Sequence, residues 1–209
     1  MPQRQNSTPE IEIKLRITNI PKILRKIKSL GATPHPRVQE QNTLYDTPQS
    51  HLRRRKMLLR LRIETPAPLN NPTSKTERVI LTSKAPPPPQ QNKKPSRYKI
   101  RSEREQVVPQ SSRQYAKALI ALGFRPTFRY DKFRTTFRLP NLHLDLDETP
   151  VGVILELEGQ PKAIDRAAKA LGFSPADYIR STYWDLYAAD CRRRGVTPKN
   201  MLLPDRKSR

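Results

Sequence analysis

Seven stretches of this chain alternate apolar and polar residues with a period of two, and in each the polar face is almost wholly ionised. In an extended strand, residues i, i+2 and i+4 share a face. The first stretch places Glu10, Glu12, Lys14 and Arg16 opposite Ile11, Ile13, Leu15 and Ile17. Further along, Arg60 and Arg62 share a face, as do Thr82 and Lys84, and Lys99, Arg101, Glu103 and Glu105. Lys132, Arg134, Thr136 and Arg138 lie opposite Phe133, Phe137 and Leu139. Asp145 and Asp147 alternate with Leu144 and Leu146, and Glu156 and Glu158 with Leu155 and Leu157. One such strand is ordinarily a solvated face. Seven in one chain also have sheet edges to protect, and closure into a barrel removes edges. Helices need apolar surface to pack on, so the apolar faces turn outward and the charged faces line the lumen. Enclosed charge must be paired or solvated. Such a lumen therefore holds water, metal ions and a charged ligand.

The expected fold is α+β: an eight-stranded antiparallel β-barrel with helices packed outside. Its predicted strands are 9–17, 37–46, 57–64, 77–84, 97–107, 126–139, 142–148 and 152–158. Asn19 reads as the cap of a helix carrying Ile20, Ile23, Leu24, Ile27 and Leu30, stopped by Gly31. Ser112 is the expected cap of a second helix that ends at Gly123, and Pro161 opens a third that ends at Gly172. A fourth helix is expected over 175–192. The domain reading is a disordered leader at 1–8, one domain over 9–191 and a basic tail at 192–209, in which Met201–Leu203 is a possible docking segment. Segments 65–76 and 85–96 are Pro-rich and polar, and read as exposed loops.

The chain carries 41 Lys and Arg against 19 Asp and Glu, a formal charge of +22, which favours polyanionic partners. With one cysteine, Cys191, there is no internal disulfide and no Cys-rich zinc site. The three histidines, 35, 51 and 143, have no metal-ligand spacing. A metal must then sit on carboxylates, which selects a hard cation such as Mg²⁺ or Mn²⁺. No apolar run approaches the roughly 20 residues of a membrane span. The expectation is a cytoplasmic protein with no membrane partner.

Carboxylates recur as i, i+2 pairs: Glu10/Glu12, Glu103/Glu105, Asp145/Asp147 and Glu156/Glu158. Like charges this close raise one another's pKa, and a divalent cation relieves the repulsion. Arg can grip phosphate oxygens through two hydrogen bonds at once. Acids for metal and a basic cradle for phosphate is the division of labour of phosphoryl transfer.

Glu10-Ile11-Glu12-Ile13-Lys14 resembles the ExExK signature of the CYTH family, the triphosphate tunnel metalloenzymes. Leu59-Arg60-Leu61-Arg62, Leu81-Thr82-Ser83-Lys84, Arg101-Ser102-Glu103-Arg104-Glu105, Lys132-Phe133-Arg134, Asp147 and Glu156-Leu157-Glu158 follow in the family's order. The resemblance covers about residues 8–190. It implies an eight-stranded tunnel and Mg²⁺- or Mn²⁺-dependent action on triphosphates, the family including inorganic and thiamine triphosphatases and class IV adenylyl cyclases. By motif position it implies Glu10, Glu12, Asp147, Glu156 and Glu158 as metal ligands. It implies Lys14, Arg60, Arg62, Lys84, Arg101, Lys132 and Arg134 as the catalytic, substrate-binding cradle. Glu103 and Glu105 hold a second metal or orient the Arg residues, with orientation preferred. Asp145 has no motif match and shares only the face.

Three functions remain open. Water as nucleophile makes a triphosphatase; a ribose 3′-hydroxyl makes a cyclase that forms cyclic AMP and pyrophosphate from ATP. The sequence offers no identifiable adenine pocket, so the reading leans to hydrolysis. The third is a non-catalytic binder of polyphosphate or an RNA 5′ end, opposed by the lumen carboxylates and by an aromatic content of only 6%. Arg53-Arg54-Arg55-Lys56 reads as a solvated turn, with an entry patch for polyanions as the alternative. Tyr45 and Asp46 read as a strand end with a local turn bond, or as part of a tunnel mouth. His143 shares the Asp145 face and reads as structural, and Tyr183 and Trp184 read as core packing.

Overall fold

The computed structural model describes residues 9–67, 77–87, 96–109 and 111–204. The expected leader at 1–8, most of the two Pro-rich segments and residues 205–209 lie outside the described residues.

The strands are β1 (Pro9–Ile17), β2 (Thr33–Pro34), β3 (Val38–Asp46), β4 (Leu58–Pro66), β5 (Arg78–Ala85), β6 (Lys99–Val108), β7 (Arg125–Leu139), β8 (Leu142–Thr149) and β9 (Gly152–Gly159). The helices are α1 (Ile20–Ser29), α2 (His51–Arg54), α3 (Ser112–Ala121), α4 (Pro161–Leu171) and α5 (Tyr183–Arg193). The sheet runs β7-β3-β4-β5-β6-β1-β9-β8 and closes through a β7–β8 pairing. It is therefore an eight-stranded barrel, antiparallel throughout, and β2 is a two-residue addition on β7. All eight barrel strands fall where the alternation puts them; β2 and the one-turn α2 have too few residues for any periodicity.

The apolar strand faces point outward, as helix packing demands. Ile13, Leu15, Leu144, Leu155 and Leu157 have no exposed surface and pack under Ile23 and Ile27 of α1 and Ile164, Ala168 and Leu171 of α4. Each such side chain contributes about 1.5–3 kcal/mol by leaving water. A second cluster sets Leu119 of α3 against Leu61, Val79 and Val108. Three of the helices end as expected, with Gly31, Gly123 and Gly172 at positive φ.

Two helix boundaries differ from expectation. Ser111, not Ser112, caps α3, because Ser111 forms a reciprocal capping box with Gln114. The expected single helix over 175–192 is broken into a 3₁₀ turn at Pro175–Asp177, an extended stretch, and α5. The extended stretch has a backbone reason. Pairing between β1 and β6 stops at Glu12–Lys99. Ile179 takes over beside β1, its carbonyl accepting from Lys14 N at 3.0 Å and its N–H donating to Lys14 O at 2.9 Å. These two bonds offset the helical bonds that residues 178–181 forgo, and Thr182 then caps α5 through Asp185 N. Beyond α5, Met201 pairs in parallel with Tyr130 and is buried.

Candidate active site

The lumen encloses a cavity of ≈ 460 Å³, a size typical of small-ligand sites, roughly 300–1,000 Å³. In a ring of eight, the strand four places away lies opposite. The wall β6-β1-β9 carries Glu103, Glu105, Glu10, Glu12, Glu156 and Glu158, and it faces β4-β3-β7, which carries Arg60, Arg62, Lys132 and Arg134. A mainly acidic wall, with Lys14 and Lys99 set among its six carboxylates, thus confronts a mainly basic one across the cavity. One end is lined by Leu44, Leu58, Phe128 and Trp184, the other by Glu64, Arg78, Arg138 and His143.

The charges are knitted into a lattice. Lys14 Nζ lies 2.7 Å from Glu12 Oε1 and 2.9 Å from Glu156 Oε1. Lys99 Nζ also reaches Glu12 Oε1, at 2.7 Å. Lys84 Nζ bridges Glu10 at 2.6 Å and Glu103 at 3.0 Å. Arg60 donates to Glu105 at 2.9 Å and to Thr82 at 3.1 Å, so Glu103 and Glu105 are engaged with basic side chains. Arg134 reaches Asp145 at 2.8 Å, Glu156 at 2.5 Å and Asp147 through two nitrogens at 2.7 and 2.6 Å. Lys132 donates to Asp147 at 2.8 Å.

Burial raises the pKa of a carboxylate and a nearby cation lowers it. Burial pushes Glu12 up, but Lys14 and Lys99 hold it well below the usual range. Glu10 comes out the other way. Burial outweighs Lys84, the neighbouring Glu12 and Glu103 add to it, and the carboxyl is pushed up to about 8. Burial and the charge of Glu10 push Glu158 up to about 7. Glu10 Oε2 is buried with no hydrogen-bond partner, and no ion pair among the described residues reaches Glu158.

This donor set suits a hard divalent cation: oxygen ligands only, one of them orphaned, with mutual repulsion for the cation to relieve. Among the described residues, no three metal-binding groups are gathered at one point, and Lys14, Lys84 and Lys99 sit on the carboxylate oxygens.

The other expected site residues separate by depth. Asp147 is not on the cavity wall. It is fully buried behind Lys132 and Arg134, and also accepts from the Tyr183 hydroxyl at 2.5 Å. Arg101 lies at the rim, donating to Lys56 O at 2.6 Å and lining an adjoining recess of ≈ 420 Å³. That recess shares Leu44, Leu58, Phe128, Thr182 and Trp184 with the cavity and adds Met57, Arg53 and Lys56. Arg53–Lys56 are all exposed, Arg53 and Arg54 closing α2 and Arg55 and Lys56 forming the turn after it. Asp46 makes the local turn bonds, accepting from Thr47 N, Leu52 N and Arg53 N at 2.7–3.0 Å. His143 lies on the wall at the charged end.

Sequence reasoning missed Glu40, Lys99 and Tyr183 as site residues. Glu40 is fully buried among Arg62, Lys132 and Arg134. Its i, i+2 neighbours on β3 are Val38 and Asn42, so no carboxylate pair marks it. Lys99 was visible on the Arg101–Glu105 face. Tyr183 packs as expected but also works by its polar end, and Lys132 Nζ stands 4.8 Å from its ring centre.

Residues 8–183 match the model of the CYTH domain. The chain belongs to the CYTH family. Solved structures carry the same CYTH fold at low identity. A Pyrococcus horikoshii protein, PH1819, superposes with a TM-score of 0.68 at 22% identity, covering 87% of this chain and 99% of its own. A candidate adenylate cyclase from Vibrio parahaemolyticus gives 0.70 at 19%, covering 87% and 98%. A candidate adenylyl cyclase from Hippeastrum, described as having a dominant triphosphatase activity, gives 0.55 at 18%, covering 90% and 97%. No curated protein matches the chain. Among the described residues, no helix is long and apolar enough to cross a membrane.

Proposed function

We propose that this CYTH protein is a divalent-metal-dependent enzyme that hydrolyses a triphosphate. The observation that carries the reading is the facing of the two walls: Arg60, Arg62, Lys132 and Arg134 on one side, and Glu10, Glu12 and Glu158 on the other. The four cations bind and orient the phosphate chain, the Arg pair by forked hydrogen bonds. Glu10, Glu12 and Glu158 hold the metal, and Glu156 and Asp147 keep Lys14, Lys132 and Arg134 in place. When bound, Mg²⁺ or Mn²⁺ neutralises charge on the phosphate oxygens.

The aromatic end supplies what the sequence did not reveal, a place for an organic group. With that group against Phe128 and Trp184, the terminal phosphate faces the charged end, where water enters for in-line attack. This orientation favours hydrolysis, and the dominant triphosphatase activity described for the Hippeastrum relative agrees with it. The second reading, adenylyl cyclase, draws on the same aromatic recess as a base site.

The test is incubation with ATP, tripolyphosphate and thiamine triphosphate in Mg²⁺ or Mn²⁺, with separation of products. Inorganic phosphate is expected, abolished by chelator and restored by metal. Cyclic AMP and pyrophosphate as the main ATP products would establish the cyclase instead. Metal-independent binding without turnover, with a steep salt slope, would establish a binder. Trp184→Ala is expected to raise KM for an organic triphosphate about tenfold, a stacking-sized loss, and to leave tripolyphosphate within about twofold.

A further inference from the structure

We propose that Glu40 is the positioning residue of the cradle: a buried counter-charge that holds Arg62, Lys132 and Arg134 together on the basic wall. The inference rests on the triphosphate reading above and extends it to a residue that no signature motif contains.

The basic wall is built from Arg60 and Arg62 of β4 and Lys132 and Arg134 of β7, with β3 between them. Glu40 stands on that middle strand, in register with Glu64 of β4 on one side and Lys132 of β7 on the other. Its Oε1 lies 3.4 Å from Arg62 Nη1 and 3.5 Å from Arg134 Nε, and its Oε2 lies 3.3 Å from Lys132 Nζ. These distances are long for hydrogen bonds, and Oε1 has no hydrogen-bond partner. Glu40 Oε2 accepts one long hydrogen bond, from Asn42 Nδ2 at 3.5 Å, so toward the three cations Glu40 acts by charge rather than by directed bonds. It is fully buried and does not line the cavity, so the three cations stand between it and any substrate.

Crowded cations repel most strongly where water is excluded. Asp147 still backs Lys132 and Glu64 still reaches Arg62, but without the charge that Arg62 and Lys132 share, the two separate, and the spacing that matches adjacent phosphoryl groups is lost. The same charge also offsets part of the wall's pull on a polyanion. Removing it thus has opposite effects on turnover and on binding, which separates Glu40 from a residue that touches substrate or metal.

The experiment is Glu40→Gln, assayed beside the parent for triphosphate turnover across Mg²⁺ concentrations. The expected result is a kcat lowered at least about tenfold, KM unchanged or lower, and Mg²⁺ half-saturation unmoved. A kcat within twofold of the parent, or a shifted Mg²⁺ half-saturation, overturns the proposal. Glu40→Asp keeps the charge, drawn back by one methylene, and is expected to retain kcat within about threefold because a charge acts over distance where a directed bond does not. A loss in Glu40→Asp as large as that expected for Gln also overturns it, even where the Gln variant does not fold. A parent without turnover counts against the triphosphate reading and not against Glu40. A crystal structure of the Gln variant then decides: Arg62 and Lys132 are expected to retreat from residue 40 by about 1 Å or more, released by their repulsion. Unmoved cations overturn the proposal.

Discussion

Replacing Arg134 by methionine is expected to cut turnover about a hundred- to a thousandfold, the usual cost of one donor to a developing oxyanion. It is also expected to lower stability by about 3–5 kcal/mol, the cost of stranding buried ion partners. The second effect follows from the lattice. Among the described residues, Arg134 alone joins Asp145, Asp147 and Glu156, and it lies 3.5 Å from Glu40. Methionine fills comparable volume but leaves these carboxylates facing one another. Lysine keeps the charge and loses the fork, so Arg134→Lys should fall between Met and the parent in both readouts. Urea unfolding and steady-state kinetics on the three proteins check this. A Met variant with parental stability would mean that the lattice does not bear on the fold.

Glu10→Gln should separate activity from stability. As a ligand in the proposed metal set, Glu10 is needed for turnover, and a loss of about a hundredfold or more is expected. Its effect on the metal-free fold has the opposite sign. The Glu10 carboxyl is raised from 4.5 to about 8. Its contribution to stability is therefore fully present below pH 4.5 and is lost as pH rises toward 8. Glutamine stays neutral throughout. At pH 8, without metal, the Gln variant is expected to melt no lower than the parent, and the parent should lose melting temperature between pH 5 and 8. Glu156→Gln is the contrasting case. Glu156 is held well below its usual range, with Lys14 and Arg134 overcoming its burial. That variant should lose activity and also melt lower, since both cations lose a partner. Thermal melts of the metal-free proteins across pH distinguish the two; equal melting penalties at pH 8 would contradict the electrostatic assignment.

Much of the barrel is legible in the sequence because a period of two with ionised polar faces has few other solutions. β1 shows why: Glu10, Glu12 and Lys14 reach the lumen by the same alternation that sends Ile13 and Leu15 under the helices. The signature pairs were legible for the same reason. What could not be read is whatever depends on contacts between distant strands. Asp147 and Glu156 look alike in sequence, yet one lies behind Arg134 and the other lines the cavity. Glu40 gains its role only from the cations of the strands on either side of it. The break before α5 depends on Ile179 finding β1, 165 residues away in the chain. The aromatic recess assembles Met57, Phe128 and Trp184 from separate elements, so no window of sequence contains it.

A crystal structure with Mn²⁺ and tripolyphosphate decides whether a metal ion and a triphosphate share the barrel lumen. Anomalous scattering should place manganese against Glu10, Glu12 and Glu158, with phosphate oxygens on Arg60, Arg62, Lys132 and Arg134. Phosphate found only on the outer surface, for instance along Arg53–Lys56, with no manganese inside, would contradict it.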